Sequence, residues 1–260
     1  MHDILSTAVT AAREAGEFLL SHAGAATGVE EKPDKSLVTD LDKKAEEMIA
    51  GRIRAAFPGH DILGEEGSTG RGGSDWTWVI DPLDGTHNFI RGIDLFGVSI
   101  GVVYKGAFVA GAIHMPAEHA VYAAEKGGGA FRNGARLAVS PAATLDRCSI
   151  GYDSTLRTEP DTVLGALRDL GGRVFNVRMF GSSVRNLTWL AAGKIDAIVE
   201  FDDKPWDFAG GVCLVREAGG AMTSLDNREL SIRGRGYVAT NGAVHDELMR
   251  VLRPWVTGGK

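Results

Sequence analysis

Apolar residues near the start of the chain recur at three- and four-residue spacing: Ile4, Leu5, Ala8, Val9, Ala12, Ala15, Phe18 and Leu19. That period predicts an amphipathic helix. Residues 24–38 are rich in Gly, Lys and Pro and predict an irregular loop. Leu41, Ala45, Met48, Ile49, Ile53 and Phe57 then line one face of a second helix, which Pro58-Gly59 stops. A loop around Gly64-Glu65-Glu66 and a glycine-rich stretch to Gly73 follow. The pattern then shortens to strands. One runs over 76–81 into Pro82, and 98–104 with 107–114 predict a hairpin turning at Lys105-Gly106. Residues 121–124 predict a further strand, and Asn133-Gly134 a tight turn. Beyond about residue 145, short strands (149–151, 174–177, 197–201, 238–239) alternate with helical patterns (162–170, 183–192, 207–218, 244–252). The first half therefore reads as helices covering an antiparallel sheet, and the second as a more α/β-like lobe, an α+β chain overall. The boundary falls near Ser140-Pro141, giving lobes 1–140 and 141–260.

Composition narrows the function classes. With 44% hydrophobic and 24% charged residues, the 260-residue chain is globular. Its net charge of −6, from 34 acids against 28 bases, gives no general electrostatic footprint for nucleic acid. Phosphate must be met locally, by metals or backbone N–H groups. The 35 glycines imply many turns or a close backbone approach. Cys148 and Cys213 show neither CxxC nor His-cluster spacing and read as buried thiols in a reducing compartment. No apolar run of about 18 residues exists to span a membrane, and Asp3, Arg13, Glu14 and Glu17 break any signal-peptide core, so a cytoplasmic protein is expected. His60, His114, His119 and His245 show no ligand spacing and read as surface or loop residues. The Trp residues read mostly as core, and Arg228, Arg233 and Arg235 as a solvated loop.

Chemistry concentrates in four segments. In Trp78-Val79-Ile80-Asp81-Pro82-Leu83-Asp84-Gly85-Thr86, an apolar strand delivers Asp81, and Asp84 follows after a turn. Two carboxylates with the Leu83 carbonyl form a hard oxygen cluster of the kind Mg²⁺ prefers. A helix starting at Gly85-Thr86 would offer N–H groups to a phosphate. Asp-Pro and Asp-Gly are also ordinary turn dipeptides. Glu65-Glu66 reads either as solvated surface or as a contributor to the same site. Asp207, after Pro205-Trp206, reads either as an N-terminal helix acid or as a ligand. Thr39 with Asp42 reads as a helix cap; alternatively Asp42 orients the Thr86 hydroxyl, which orients a water.

Taken together and in order, these segments resemble the inositol monophosphatase family of Mg²⁺-dependent, lithium-sensitive phosphatases. The resemblance rests on Leu37-Val38-Thr39-Asp40-Leu41-Asp42, Gly64-Glu65-Glu66, residues 78–89, Gly181-Ser182-Ser183 with Asn186, and Lys204-Pro205-Trp206-Asp207-Phe208-Ala209-Gly210. It implies a layered α-β-α-β-α sandwich of the sugar phosphatase type, often a homodimer. It implies that Glu65, Asp81 and the Leu83 carbonyl hold a first Mg²⁺, that Asp81, Asp84 and Asp207 hold a second, and that Glu65 touches a third; Mn²⁺ would substitute. Asp42, Thr86 and Glu65 would serve catalysis. Asp84, Gly85, Thr86, Ser183 and Glu200 would contact the substrate, with Glu200 reading ring hydroxyls. His87 and Arg185 depart from the family's usual residues and bear on the substrate. The implied reaction is hydrolysis of a small polyol or sugar phosphate, leaning to inositol monophosphate. Fructose 1,6-bisphosphate, histidinol phosphate and 3′-phosphoadenosine 5′-phosphate are the alternatives, and a non-catalytic binding protein on the same fold is the rival class. No nucleic-acid or membrane partner is expected.

Overall fold

The computed structural model describes residues 2–24, 28–32, 37–67, 72–154 and 156–256. In chain order these form α1 (His2–Ser21), β1 (Glu30–Glu31), β2 (Leu37–Val38), α2 (Asp40–Ala56), β3 (Asp61–Gly64), β4 (Trp76–Asp84), α3 (Thr86–Ile90), β5 (Gly97–Tyr104), β6 (Ala107–Met115), β7 (Ala120–Glu125), β8 (Gly129–Arg132) and β9 (Ala135–Arg136). They continue with β10 (Ser149–Tyr152), α4 (Pro160–Gly171), β11 (Asn176–Arg178), α5 (Ser183–Ala191), β12 (Ala197–Glu200), α6 (Pro205–Glu217), β13 (Ala221–Thr223), β14 (Tyr237–Thr240) and α7 (His245–Val256). One seven-stranded sheet runs β3-β4-β5-β6-β7-β8-β9, and a five-stranded sheet runs β11-β10-β12-β14-β13.

Alternation along the strands produces the layers, because side chains at successive positions face opposite ways. Trp78, Ile80, Val98, Ile100 and Ala112 face one way and bury Ile4, Ala8, Ala12, Ala15 and Leu19 of α1 with Ala45, Ile49 and Ile53 of α2. Val79, Ile113 and Tyr122 face the other way, onto Val184 and Leu187 of α5 and Phe208 and Val212 of α6. The same core takes Ile198, Tyr237 and Ala239 from the second sheet. That sheet's outer face, with Ile150, Ala197, Val199 and Val238, carries α4 and α7. The result is the expected α-β-α-β-α sandwich. No helix among the described residues is long and apolar enough to cross a membrane.

Several local expectations need correction. The loop at 24–38 contains the antiparallel pair β1–β2, with Glu30 opposite Val38; residues 25–27 and 33–36 of it, and 68–71 of the glycine-rich stretch, lie outside the described residues. β3 pairs parallel to β4, so the first sheet is not wholly antiparallel. β4 does not stop at Pro82. Asp81 pairs with Ser99 and Asp84 with Gly97, three steps against two, which is a bulge. Pro82, having no N–H to give the ladder, is tolerated in it. His114 and His245 are buried, not surface residues. His245 bridges the Thr223 and Thr240 hydroxyls at 3.1 and 3.2 Å. Trp78 is fully buried, and Trp76, Trp189, Trp206 and Trp255 are half-buried against the hydrophobic cores, as expected. Cys148 and Cys213 are buried free thiols, as expected.

Glycine allows α6 to lie unusually near the first sheet. A Cβ on Gly111 would sit 2.2 Å from the Gly210 carbonyl oxygen, and one on Gly101 2.5 Å from the Ala209 backbone. Helix α6 carries Asp207, so this contact sets how far Asp207 stands from β4. Gly111→Ala should cost about 3 kcal/mol, the upper end for overpacking, because backbone and not a pliable side chain blocks it. Denaturant unfolding measures this; a change within about 0.5 kcal/mol would mean that α6 shifts freely.

Candidate active site

The β4 bulge explains how two acids three residues apart reach one place. In a regular strand Asp81 and Asp84 would point to opposite faces; one extra residue restores them to the same side. The Asp81 carboxylate also accepts the Leu83 N–H at 3.0 Å, which holds the turn closed. Glu65 follows β3, the parallel neighbour of β4, and its N–H donates to the Ile80 carbonyl at 3.1 Å. That bond seats Glu65 beside Asp81. Asp207 lies in the first turn of α6, where its Oδ2 accepts the Lys204 N–H at 2.6 Å. Carboxylate oxygens of Glu65, Asp81 and Asp207 all fall within 4.8 Å of one another. The capping reading of Asp207 and its place in an acid cluster therefore hold together.

Asp42 also serves two neighbours. Its Oδ2 accepts both the N–H and the hydroxyl of Thr39, closing the cap of α2. Its Oδ1 faces the Thr86 hydroxyl at 3.2 Å. That hydroxyl has one proton and a second acceptor, the Leu83 carbonyl, at 2.9 Å. Gly85 caps α3 in the left-handed region at φ 81°, and a Cβ there would meet the Leu95 carbonyl at 2.7 Å. Only glycine makes this turn without strain. The first N–H groups of α3 have no partner within the helix.

Burial and crowding act together on the acids. Desolvation pushes Glu65 up to about 7, against the pull of Lys32. Asp81 is raised by burial and then by Glu65, Asp84 and Asp207. Asp207 is raised by burial and then by Asp203 and Glu65. Asp84 reaches about 6 through burial, opposed by donors from Ser182, Ser183 and Val184. Lys32 meets this group at its edge, 2.7 Å from Glu65 and 2.6 Å from Glu66, and Arg185 acts on Asp84. Like charges held together in an all-oxygen donor set suit a hard divalent cation such as Mg²⁺ or Mn²⁺. Glu66, paired with Lys32, also gives its N–H to Glu46 at 2.8 Å and stands outside the close trio.

Glu200 ends β12, is buried, and accepts the Asn186 side-chain N–H at 2.8 Å. Burial and then Asp203 raise its carboxyl. Ser183 gives its N–H to Asp84 at 3.0 Å. His87 is exposed, whereas Arg185 is fully buried and pairs with Glu118 at 2.7 Å. Sequence reasoning passed over Lys32 and Asp203, and quoted Asn88 and Ser182 without a role. No periodic or motif signal marks Lys32, and Asp202-Asp203 reads like any surface acid pair.

Comparison with known proteins identifies the family. The model of the family described as "Inositol monophosphatase family" matches residues 1–255. A Thermotoga maritima protein named fructose-1,6-bisphosphatase/inositol-1-monophosphatase is 35% identical over 261 residues, covering 99% of this chain and 100% of that one. A Pseudomonas aeruginosa protein named Nus factor SuhB is 36% identical, with 98% and 97% covered. Among solved structures, a Thermotoga maritima IMPase superposes with a TM-score of 0.90 at 35% identity over 98% of each chain. The suhB protein of Bartonella henselae gives 0.91 at 33%, over 96% and 98%. The chain belongs to the inositol monophosphatase family.

Proposed function

We propose that the protein is a Mg²⁺-dependent phosphomonoesterase acting on a small polyol or sugar phosphate, with inositol monophosphate as the preferred ester. The convergence of Glu65, Asp81 and Asp207 carries this reading. In it, Glu65, Asp81, Asp84, Asp207 and the Leu83 carbonyl hold two or three divalent ions. When bound, these supply charge neutralisation at phosphorus and at the leaving oxygen. The chain's own residues do the rest. Thr39 fixes Asp42, and the Thr86 hydroxyl faces both Asp42 and the Leu83 carbonyl. A Thr86 lone pair accepts a hydrogen bond from the attacking water, and as that water's proton passes to Thr86 Oγ1 the Thr86 proton passes to Asp42. The Gly85 and Thr86 N–H groups receive phosphate oxygens. Glu200, braced by Asn186, accepts from substrate hydroxyls beside Ser183. Water attacks directly, and no phospho-enzyme forms.

The test is phosphate release from inositol monophosphate, fructose 1,6-bisphosphate, histidinol phosphate and 3′-phosphoadenosine 5′-phosphate, with and without Mg²⁺. Thr86→Val should lower kcat by roughly 10²–10⁴ in a folded protein, the usual worth of a positioned proton acceptor. Asp42→Ala leaves Thr39 as the α2 cap but removes the reciprocal half of the capping box, and should also lose about 0.5–2 kcal/mol of stability. A second reading, a binding protein on the same scaffold, draws support from the relatives named Nus factor SuhB. No release from any ester with Mg²⁺ present would favour it. The first reading extends to a cytoplasmic, lithium-inhibited homodimer. Phe175 and Met179, exposed at 69% and 43% beside the edge strand β11, support the dimer, and light scattering on the purified protein tests it.

A further inference from the structure

We infer that Ser182 and Asn88 are positioning residues for Asp84, locking its carboxylate onto the N-terminus of α5 and so setting where it stands relative to Asp207. The inference rests on the metal-dependent reading above. Ser182 is the cap residue of α5, and its Oγ accepts the Arg185 N–H at 3.2 Å. Capping uses a lone pair and leaves the hydroxyl proton free. That proton goes to Asp84 Oδ1, across 98 positions of sequence. The other oxygen, Oδ2, takes the Ser183 N–H at 3.0 Å. Ser182 and Asp84 are each only 6% exposed, so water offers no easy substitute for either bond.

Asn88 closes the arrangement from the other side. It lies four residues beyond Asp84 and is buried. Its side-chain N–H₂ group donates to the carbonyls of Leu95 at 2.9 Å, Phe180 at 2.9 Å and Gly181 at 3.1 Å. Two of these acceptors belong to the chain leading into α5. Segment 84–88 thus grips 180–181, while Ser182 and Ser183 grip Asp84. Helix α5 in turn packs on α6: a Cβ on Gly211 would meet Leu187 at 2.6 Å. Since α6 carries Asp207, α5 spans the two acids, holding one at its tip and bearing on the helix of the other. Without the Ser182 proton, Asp84 keeps only the backbone donors of Ser183 and Val184 at the tip of α5 and loses the bond that fixes Oδ1, so its carboxyl torsion, which has no sharp minimum of its own, is less constrained.

A cap needs an acceptor, whereas holding Asp84 needs a donor, and substitutions separate the two. Glycine retains most of a serine cap but has no hydroxyl. In the full-length protein, Ser182→Gly should weaken Mn²⁺ binding by calorimetry roughly 10–100-fold, as loss of a partner to a metal ligand does. The metal-free protein should stay folded, with a thermal midpoint a few degrees lower because a buried Asp84 oxygen loses its donor. Ser182→Thr, which keeps the donor, should restore binding, and Asn88→Ala should weaken it in the same direction. A folded Ser182→Gly protein that binds Mn²⁺ as the wild type does would reduce Ser182 to a cap and overturn the inference. Wild-type protein that binds no Mn²⁺ sinks both this inference and the metal-dependent reading. Wild type that binds Mn²⁺ but hydrolyses no ester overturns only the phosphatase assignment, and the Ser182 comparison still decides the rest.

Discussion

Asp207→Asn should abolish turnover while leaving the metal-free protein as stable as the wild type, or more so. Asn keeps the size of Asp, and its carbonyl oxygen can accept the Lys204 N–H that caps α6. What disappears is a negative charge beside Glu65 and Asp81. Two unit charges a few ångström apart in a partly buried site repel by on the order of 1–3 kcal/mol, so the variant's thermal midpoint should rise without metal at alkaline pH, where these raised carboxyls are ionised. The catalytic cost is much larger. Charge stabilisation by divalent ions supplies several kcal/mol to such a reaction, and each 1.4 kcal/mol is about tenfold in rate, so kcat should fall at least about 10³-fold. Added Mn²⁺ should no longer raise the midpoint. Asp81→Asn should behave alike. A variant that is both destabilised without metal and active with it would show Asp207 to be a structural acid only.

The second large effect is an inverted pH dependence. Burial lifts Glu65 from an ordinary 4.5 to about 7 and Asp84 from 3.8 to about 6. A carboxyl whose folded value lies above its unfolded value binds its proton more tightly in the folded protein. Its stabilising contribution is complete below the unfolded value and disappears as pH rises through the folded one. The metal-free protein should therefore lose stability between about pH 4 and pH 7, by about 1.4 kcal/mol for each unit separating the two values. Divalent cations bind only the ionised acids, so their effect runs the other way. Thermal midpoints should show little gain from Mn²⁺ near pH 5 and a large gain near pH 8. A metal-free protein most stable near pH 8, or a Mn²⁺ gain independent of pH, would mean that these carboxyls are not buried together.

Much of this was legible because strong local patterns agreed with the final packing. Helices α1 and α2 bury one face each, so their apolar spacing survives into the structure. The turn between β5 and β6 was announced by Lys105-Gly106, both at positive φ (49° and 82°). What escaped was short or cooperative. β3, β8 and β13 have three or four residues and owe their existence to a neighbouring strand. Pro82 reads as a strand end in one dimension, but a bulge lets β4 pass through it, and the bulge is what turns Asp84 to the side of Asp81. Local reading also set capping against a site role at Asp42 and Asp207. Each carboxylate has two oxygens, and Asp42 uses them separately, for Thr39 and for Thr86. The gathering of Glu65, Asp81 and Asp207 was suggested by motif order, whereas the tie from Ser182 to Asp84 joins segments too distant for any local signal.

The most direct test is an anomalous difference map from crystals grown with Mn²⁺ at neutral pH. Strong peaks bounded by the carboxylates of Glu65, Asp81, Asp84 and Asp207, with the Leu83 carbonyl turned towards them, are the predicted result. Crystals at saturating Mn²⁺ with these acids apart and no anomalous density between them would contradict it.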